Sequence, residues 1–507
     1  MTRCTITIDP AFTIGRVDPR IYGSFVEHMG RCVYGGIFDP DDPSADAEGM
    51  RQDVLELTRE MGVTAVRYPG GNFVSGYRWE DGVGPVEGRP SRLDPAWRSI
   101  ETNRFGLHEF MDWAEKARVE PIMAVNLGTR GIEDAARLVE YSNHPSGTEL
   151  SDLRIKNGVS HPFGITDWCL GNEMDGPWQT GHKDADTYGR LAAEAGKTMR
   201  QIDPSIRLVA CGSSHEQMPT FGDWEATVLR HCYDVVDYIS LHAYVEQHGD
   251  DVESFLASGH GIDRFIDGVI ATADHVRAIT QASKRIQLSF DEWNVWYAQR
   301  FGGHTNLDWE QAPRLIEDTY STLDAVVVGN LLMSLLRHAD RVAIACQAQL
   351  VNVIGPIRAE PGAPAWRQTI FHPFALTSHA VRGEILRVEP VVGTYPTDRH
   401  GDAPLVDVVA SLEDNGDIVI LAVNRSLSAA IPLEIRLTGT DRRVVISHQR
   451  LGGGSHDLAA TNTADAPHEV MPVELRDSAT THTDDGLSIT LGPVSWNMIR
   501  LSKPPPR

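Results

Sequence analysis

Cysteine is scarce in this chain and nowhere paired. Six residues in 507 (Cys4, Cys32, Cys169, Cys211, Cys232 and Cys346) form no CxxC motif, which argues against zinc-ribbon and dithiol-redox chemistry. Several lie inside apolar runs, where cysteine behaves as a small hydrophobe, and thiols of this kind suit a reducing compartment. No stretch approaches the roughly 18 consecutive apolar residues of a membrane span. The opening MTRCTITIDPAFTIG has neither the apolar core nor the small-residue cleavage site of a secretory signal. A cytoplasmic location with no membrane partner is therefore expected. HExxH, EF-hand and P-loop patterns are missing. Positive charge is also short: 46 Lys and Arg face 70 Asp and Glu, a formal net charge of −24. Such a surface repels phosphate backbones, which argues against nucleic acid as a partner and does not disfavour a neutral one.

What is present is an ordinary globular composition, 41% hydrophobic and 23% charged, in a chain long enough to bury a large core without disulfides or metals. Short, continuously apolar segments alternate with amphipathic ones. The predicted strands are IYGSFVEH (21–28), TAVRYPGG (64–71), PIMAVNLG (121–128), ITDWCLGNE (165–173), RLVACGSS (207–214), YISLHAYV (238–245), RIQLSFDEW (285–293) and RVAIACQAQL (341–350). Their lack of alternation suits parallel strands buried on both faces. Helical patterns fall between them at 49–62, 106–117, 132–142 and 187–203, with a long one at 312–339. Its stretch AVVVGNLLMSLL (325–336) reads as a buried helix. Eight such strands predict an α/β fold, a (β/α)8 barrel. An open doubly wound sheet is the competing solution, but Gly70-Gly71 is not a GxGxxG loop. Beyond about Arg382 the pattern becomes all-β, with strands predicted at 404–413, 417–426, 431–439, 442–451 and 487–502 and a hairpin turn at Asn415-Gly416. LGGGS (451–455) has no following helix and reads as a turn, not a phosphate cradle. The expected domains are an N-terminal strand within 1–18 that joins the sandwich, a catalytic barrel over 19–382 and a C-terminal β-sandwich over 383–507.

Catalysis in such barrels sits at the carboxyl ends of the strands. The polar residues found there are Glu27, Arg67, Asn72, Asn126, Asn172, Glu173, His242, Tyr244, Glu292 and Gln349. With Trp168, Trp178, Trp293 and Trp296 beside them they describe a sugar pocket, since hydroxyls demand paired donors and acceptors and the apolar sugar face stacks on rings. Glu173 and Glu292 end strands 4 and 7, which face each other across a closed barrel. Glycoside hydrolysis needs two carboxyl groups flanking the anomeric carbon, one protonated and one ionised. A carboxyl beside a second carboxylate and walled by tryptophan is expected to hold its proton and act as acid. Arg67 and Tyr244 are the candidates to keep the other ionised. One strand-end glutamate alone would as readily cap a helix or pair with an arginine. Two, each bracketed by Trp and Asn, point to catalysis. Histidines such as His28, His161 and His372 read as structural, and His242 stands apart by its strand-end position.

At WCLGNEMDGPW (168–178) and SFDEWNVWY (289–297) the chain resembles the family 51 glycoside hydrolases, the intracellular α-L-arabinofuranosidases. Segments 23–37, 67–85, 89–106, 338–357 and 491–501 are similar to the same family, so the likeness spans nearly the whole chain. The resemblance implies Glu173 as acid/base and Glu292 as nucleophile, with retention through a covalent arabinosyl-enzyme. It implies Asn172 as the residue that holds the sugar 2-hydroxyl, and Glu27, Asn72, Tyr244 and Gln349 as holders of the furanose. Arg67 would support the nucleophile, and Trp97 and Trp296 would wall the pocket; His242, from its strand-end position, is expected in the substrate-binding set. The resemblance also implies the barrel-plus-sandwich fold, a hexamer, arabinofuranosyl oligosaccharides from arabinan or arabinoxylan as substrates, and no metal or other cofactor. Arg78, Glu80 and His372 depart from the family pattern, at positions outside the catalytic pair. Two rivals stand beside this reading. A β-xylosidase or β-glucanase of the same retaining clan would share the two glutamates. A non-catalytic carbohydrate-binding protein would need only one of them.

Overall fold

The computed structural model describes residues 3–303, 307–475, 481–483 and 486–504. Eight parallel strands close into a barrel: Gly23–Phe25, Ala65–Tyr68, Glu120–Ala124, Asp167–Leu170, Arg207–Ala210, Tyr238–Val245, Gln287–Val295 and Val342–Ala348. These are barrel strands one to eight below; six fall inside a predicted segment, while the third starts one residue before its segment and the seventh runs two residues past its own. Sequential strands pair, with register shifts only along the seventh, and the eighth pairs with the first, so no edge is left to protect.

The barrel interior is layered. At its amino end Asp167 accepts from Arg20 (3.1 Å) and Arg207 (2.6 Å), a buried ionic floor. Above it lie small apolar side chains, among them Ala65, Ala124, Cys169, Cys346 and Ala348. The top layer is polar and carries the site. Trp168 and Trp293, expected in the sugar pocket, are instead fully buried on the outer face: Trp168 Nε1 donates to Ile165 O, and Trp293 stacks on Phe374. Strand side chains alternate between faces, so the neighbours Cys169 and Glu292 point inward and these two rings pack under helices.

The helix expected over 312–339 begins only at Thr322 and runs to Arg337. Pro313 and the positive φ values of Ala312 and Ile316 keep the preceding segment irregular, and Ser321 and Asp324 form a reciprocal cap at the helix start. The helix is apolar all round because it is covered on both sides, by the barrel and by the β domain. Gly329 lets the Trp496 ring approach so closely that a Cβ would lie 2.4 Å from it. Asn330 links to the β domain through Asp407 (2.8 Å) and Arg425 (2.8 Å). Arg337 and Arg425 outweigh burial and hold the Asp407 carboxyl at about 2.

The β domain is two facing sheets. Among the described residues one has seven strands, including Thr13–Arg16, Glu384–Leu386, Val406–Leu412 and Ile418–Asn424; the other has four. The N-terminal strand Cys4–Ile8 joins the four-stranded sheet, parallel to Ile431–Leu437. Cys4, Ile6 and Ile8 point into the sandwich core against Leu433, Ile489 and Ile420. The single strand expected over 487–502 is two, Gly486–Leu491 and Ser495–Ser502, in different sheets. Gly492-Pro493 and Val494, with φ +44°, turn the chain from one sheet to the other.

Candidate active site

The rim acquires its shape from three backbone irregularities. Barrel strand seven has one residue more than strand six between paired positions: Ser240 pairs Ser289, but His242 pairs Glu292. A bulge of this kind re-aims side chains, so the consecutive Asp291 and Glu292 both turn toward the barrel mouth. After strand four, Gly171 (φ +93°) and Glu173 (φ +43°) fold the chain back over the opening. After strand two, Gly70 (φ +147°) and Gly71 pass so close to Glu27 and Glu292 that a Cβ on Gly71 would sit 3.2 Å from one carboxylate and 3.3 Å from the other.

These turns assemble a cavity of about 740 Å3. Glu27, Asn72, Trp97, Glu173, Tyr244, Glu292, Trp296 and Gln349 all line it. Arg67, Asn172 and His242 do not line it; they stand directly behind, bonded to the groups that do or to one another. Arg67 donates to Glu292 Oε1 (2.8 Å) and to Asn172 Oδ1 (2.7 Å). The Tyr244 hydroxyl donates to Glu292 Oε2 (2.7 Å). Glu173 accepts from Trp178 Nε1 (2.6 Å) and His242 Nδ1 (2.9 Å). Glu27 is the end wall, accepting from Trp97 Nε1 (2.8 Å), the Phe73 amide (2.9 Å) and Gln349 (3.1 Å). Trp97 is held there because Asp94 accepts from its amide (3.2 Å) and from that of Ala96 (3.0 Å). Asn126, expected on the rim, caps its own loop instead, bonding Gly128, Thr129 and the Tyr77 carbonyl.

The titrations follow from this crowding. Burial, with Glu292 nearby, pushes the Glu27 carboxyl up to about 8. Burial and the Glu173 charge also push Glu292 up, against His242, Arg67 and Tyr244. The donors expected to keep Glu292 ionised are thus in place, but its net shift is upward. Burial alone would lower the His242 imidazole, yet Glu292, Asp291 and Glu173 raise it well above its usual range. Burial and Glu292 raise the Tyr244 phenol too, so it stays a donor.

Asp291 is the residue sequence reasoning passed over. Fully buried, it accepts from His242 Nε2 (2.9 Å) and pairs with Arg67 Nε (3.4 Å). Its signal was present in SFDEW, but a lone Asp beside a catalytic candidate is indistinguishable from a solvated one without the bulge. A ligand atom from each of Glu173, His242 and Glu292 lies within 4.8 Å of the others, a spacing that could hold a cation. Both His242 nitrogens, however, face carboxylates at 2.9 Å, so both carry protons and offer no lone pair to a metal.

Two sequence profiles match the chain: an "Alpha-L-arabinofuranosidase 1 domain" over residues 57–256 and an "Alpha-L-arabinofuranosidase C-terminal domain" over 291–495. An "intracellular exo-alpha-(1->5)-L-arabinofuranosidase" of Streptomyces lividans is 58% identical over 509 residues, covering 100% of this chain and 76% of the relative. The chain belongs to glycoside hydrolase family 51, the α-L-arabinofuranosidases. Another relative, an "exo-alpha-(1->6)-L-arabinofuranosidase" of Bifidobacterium longum, is 49% identical over 507 residues, 98% of this chain and 97% of its own. The solved structure of a family 51 α-L-arabinofuranosidase from Bifidobacterium longum superposes with a TM-score of 0.94 at 43% identity, covering 99% of this chain and all of that one. Among the described residues no helix is long and apolar enough to cross a membrane.

Proposed function

We propose that this protein is an intracellular exo-acting α-L-arabinofuranosidase that works with retention, Glu292 as nucleophile and Glu173 as acid/base. The observation that carries the reading is the spacing of the two glutamates: carboxylate oxygens of Glu173 and Glu292 lie within 4.8 Å of each other. Retaining enzymes place their carboxyls about 5–5.5 Å apart, whereas inverting ones need roughly 6.5–9.5 Å to admit water. Arg67 and Tyr244 each donate to one oxygen of Glu292, and the family resemblance makes it the nucleophile and Glu173 the acid/base.

In the first step a Glu292 oxygen bonds to the anomeric carbon as the glycosidic bond breaks, and the Glu173 proton passes to the leaving oxygen. In the second, Glu173 takes a proton from water, whose oxygen attacks the same carbon and frees Glu292. The His242 imidazolium, held by Asp291, stabilises the Glu173 carboxylate between the two steps. The dead end formed by Glu27, Asn72 and Gln349 supports a terminal sugar over the internal unit an endo-enzyme binds, and both glutamates set the chain apart from a mere binding protein. As in the family resemblance, Asn172 would hold the 2-hydroxyl, arabinofuranosyl oligosaccharides would be the substrates and a hexamer the assembly.

Variants of the pair test this. Glu292→Ala is expected to abolish turnover. Glu173→Ala is expected to spare p-nitrophenyl substrates, whose leaving group needs no protonation, to lose most activity on arabinobiose, and to be rescued by azide. Near-normal activity of either variant on arabinobiose would remove the assignment.

A further inference from the structure

The cavity does not stop at the two glutamates. From Glu173 it continues past Trp178 and His215, which stack at 6.0 Å and 13°, and along the rim to the tip of a hairpin formed by Thr394–Thr397 and Gly401–Pro404. That hairpin comes from the β-domain end of the sequence, yet its tip is fastened to the barrel. The Asp398 amide donates to Ser254 Oγ (3.2 Å), and the Tyr395 hydroxyl donates to the Glu253 carbonyl (3.1 Å). The His400 ring lies against the helix Ser258–Thr280 at Gly261, where a Cβ would come within 2.7 Å of it. A glycine is needed there for the hairpin to seat. Arg399 and His400 line the cavity together with Phe255, Ile262 and Phe265. The Arg399 side chain is exposed and forms no hydrogen bond or salt bridge among the described residues.

We propose that this distal arm binds the remote sugar units of a neutral linear oligosaccharide, with the β-domain hairpin as its end wall and Arg399 as a donor to their hydroxyls. The inference rests on the arabinofuranosidase reading of the same cavity. Three observations lead to it. A single pentose fills only a minor part of about 740 Å3, a volume well inside the roughly 300–1,000 Å3 of pockets that enclose much larger ligands. The arm alternates aromatic and aliphatic surface with hydrogen-bonding groups, the pairing that sugar rings require. Its carboxylates, Glu216, Glu246 and Asp251, outnumber the one arginine, so an anionic chain would be repelled where a neutral one is not. The β domain thereby acquires a role in substrate selection beyond packing support.

The test compares kcat/KM for p-nitrophenyl α-L-arabinofuranoside and for α-1,5-linked arabinobiose, arabinotriose and arabinotetraose, in the wild type and Arg399→Ala. The wild type is expected to gain efficiency from the dimer to the longer chains. Arg399→Ala is expected to cut the ratio of tetraose to dimer efficiency about three- to tenfold, as loss of one hydrogen bond would. Arabinotetraose binding to Glu292→Ala, with and without Arg399→Ala, should show the same weakening without turnover. Wild-type efficiency independent of chain length, or an Arg399→Ala loss equal on all substrates, would overturn the proposal. So would a wild-type preference for oligosaccharides carrying uronic acid. Absence of activity on every arabinofuranoside would instead remove the functional reading beneath it.

Discussion

Glu27 shows how much a single side chain can carry here. It has no cation beside it, only three neutral donors and the charge of Glu292, and its carboxyl is pushed to about 8. A carboxyl raised in the folded state stabilises the fold fully below its unfolded value, about 4.5. That contribution is lost as pH climbs through about 8. Glu27→Gln is therefore expected to flatten the fall in Tm between pH 6 and pH 9, measured by calorimetry at both pH values, while lowering kcat/KM by removing an acceptor for sugar hydroxyls. An unchanged pH slope would mean that Glu27 is ionised in the fold throughout. The same neutral-acid chemistry leaves Asp291 as the fixed anion that keeps His242 charged, since the Arg67 guanidinium outweighs burial and holds its carboxyl below the usual range.

The turns between strands and helices fix where these groups point. Gly70 takes φ +147°, and a Cβ there would stand 2.5 Å from Glu27 Cγ. Glu27 cannot yield without leaving Trp97 and Gln349. Gly70→Ala is expected to destabilise by about 1–3 kcal/mol and to lower kcat/KM at least tenfold; thermal melts and arabinofuranoside kinetics check both, and a fully active variant would show that the loop adapts. The barrel strands were legible because continuous apolar runs between amphipathic segments have few other solutions. Their sidedness was not: Trp168 and Trp293 neighbour inward-facing residues, and only alternation resolves that they pack outward. The bulge that turns Asp291 and Glu292 to the same side has no composition signal. The start of helix Thr322–Arg337 was hidden because 312–320 shares its amphipathic look, and the break at 492–494 because the strands on either side are equally apolar.

For the molecule as a whole, barrel and β domain are joined through the buried helix Thr322–Arg337, whose Arg337 pairs with Asp407 and whose Asn330 bonds Asp407 and Arg425, and again where the hairpin tip seats on the barrel. The second junction lay beyond sequence reading, since Arg399 and Gly261 are far apart along the chain and neither belongs to a motif. Function rests on the smaller geometry at the barrel mouth, two carboxyls close enough for double displacement in a cavity closed at one end. Hydrolysis of p-nitrophenyl α-L-arabinofuranoside, followed by NMR beside the β-D-xylopyranoside and β-D-glucopyranoside, examines both features at once. Rapid release from the arabinofuranoside with the α-anomer of arabinose appearing first is the predicted result. First appearance of the β-anomer, or turnover of the pyranosides alone, would contradict the assignment of Glu173 and Glu292 or of the sugar they act on.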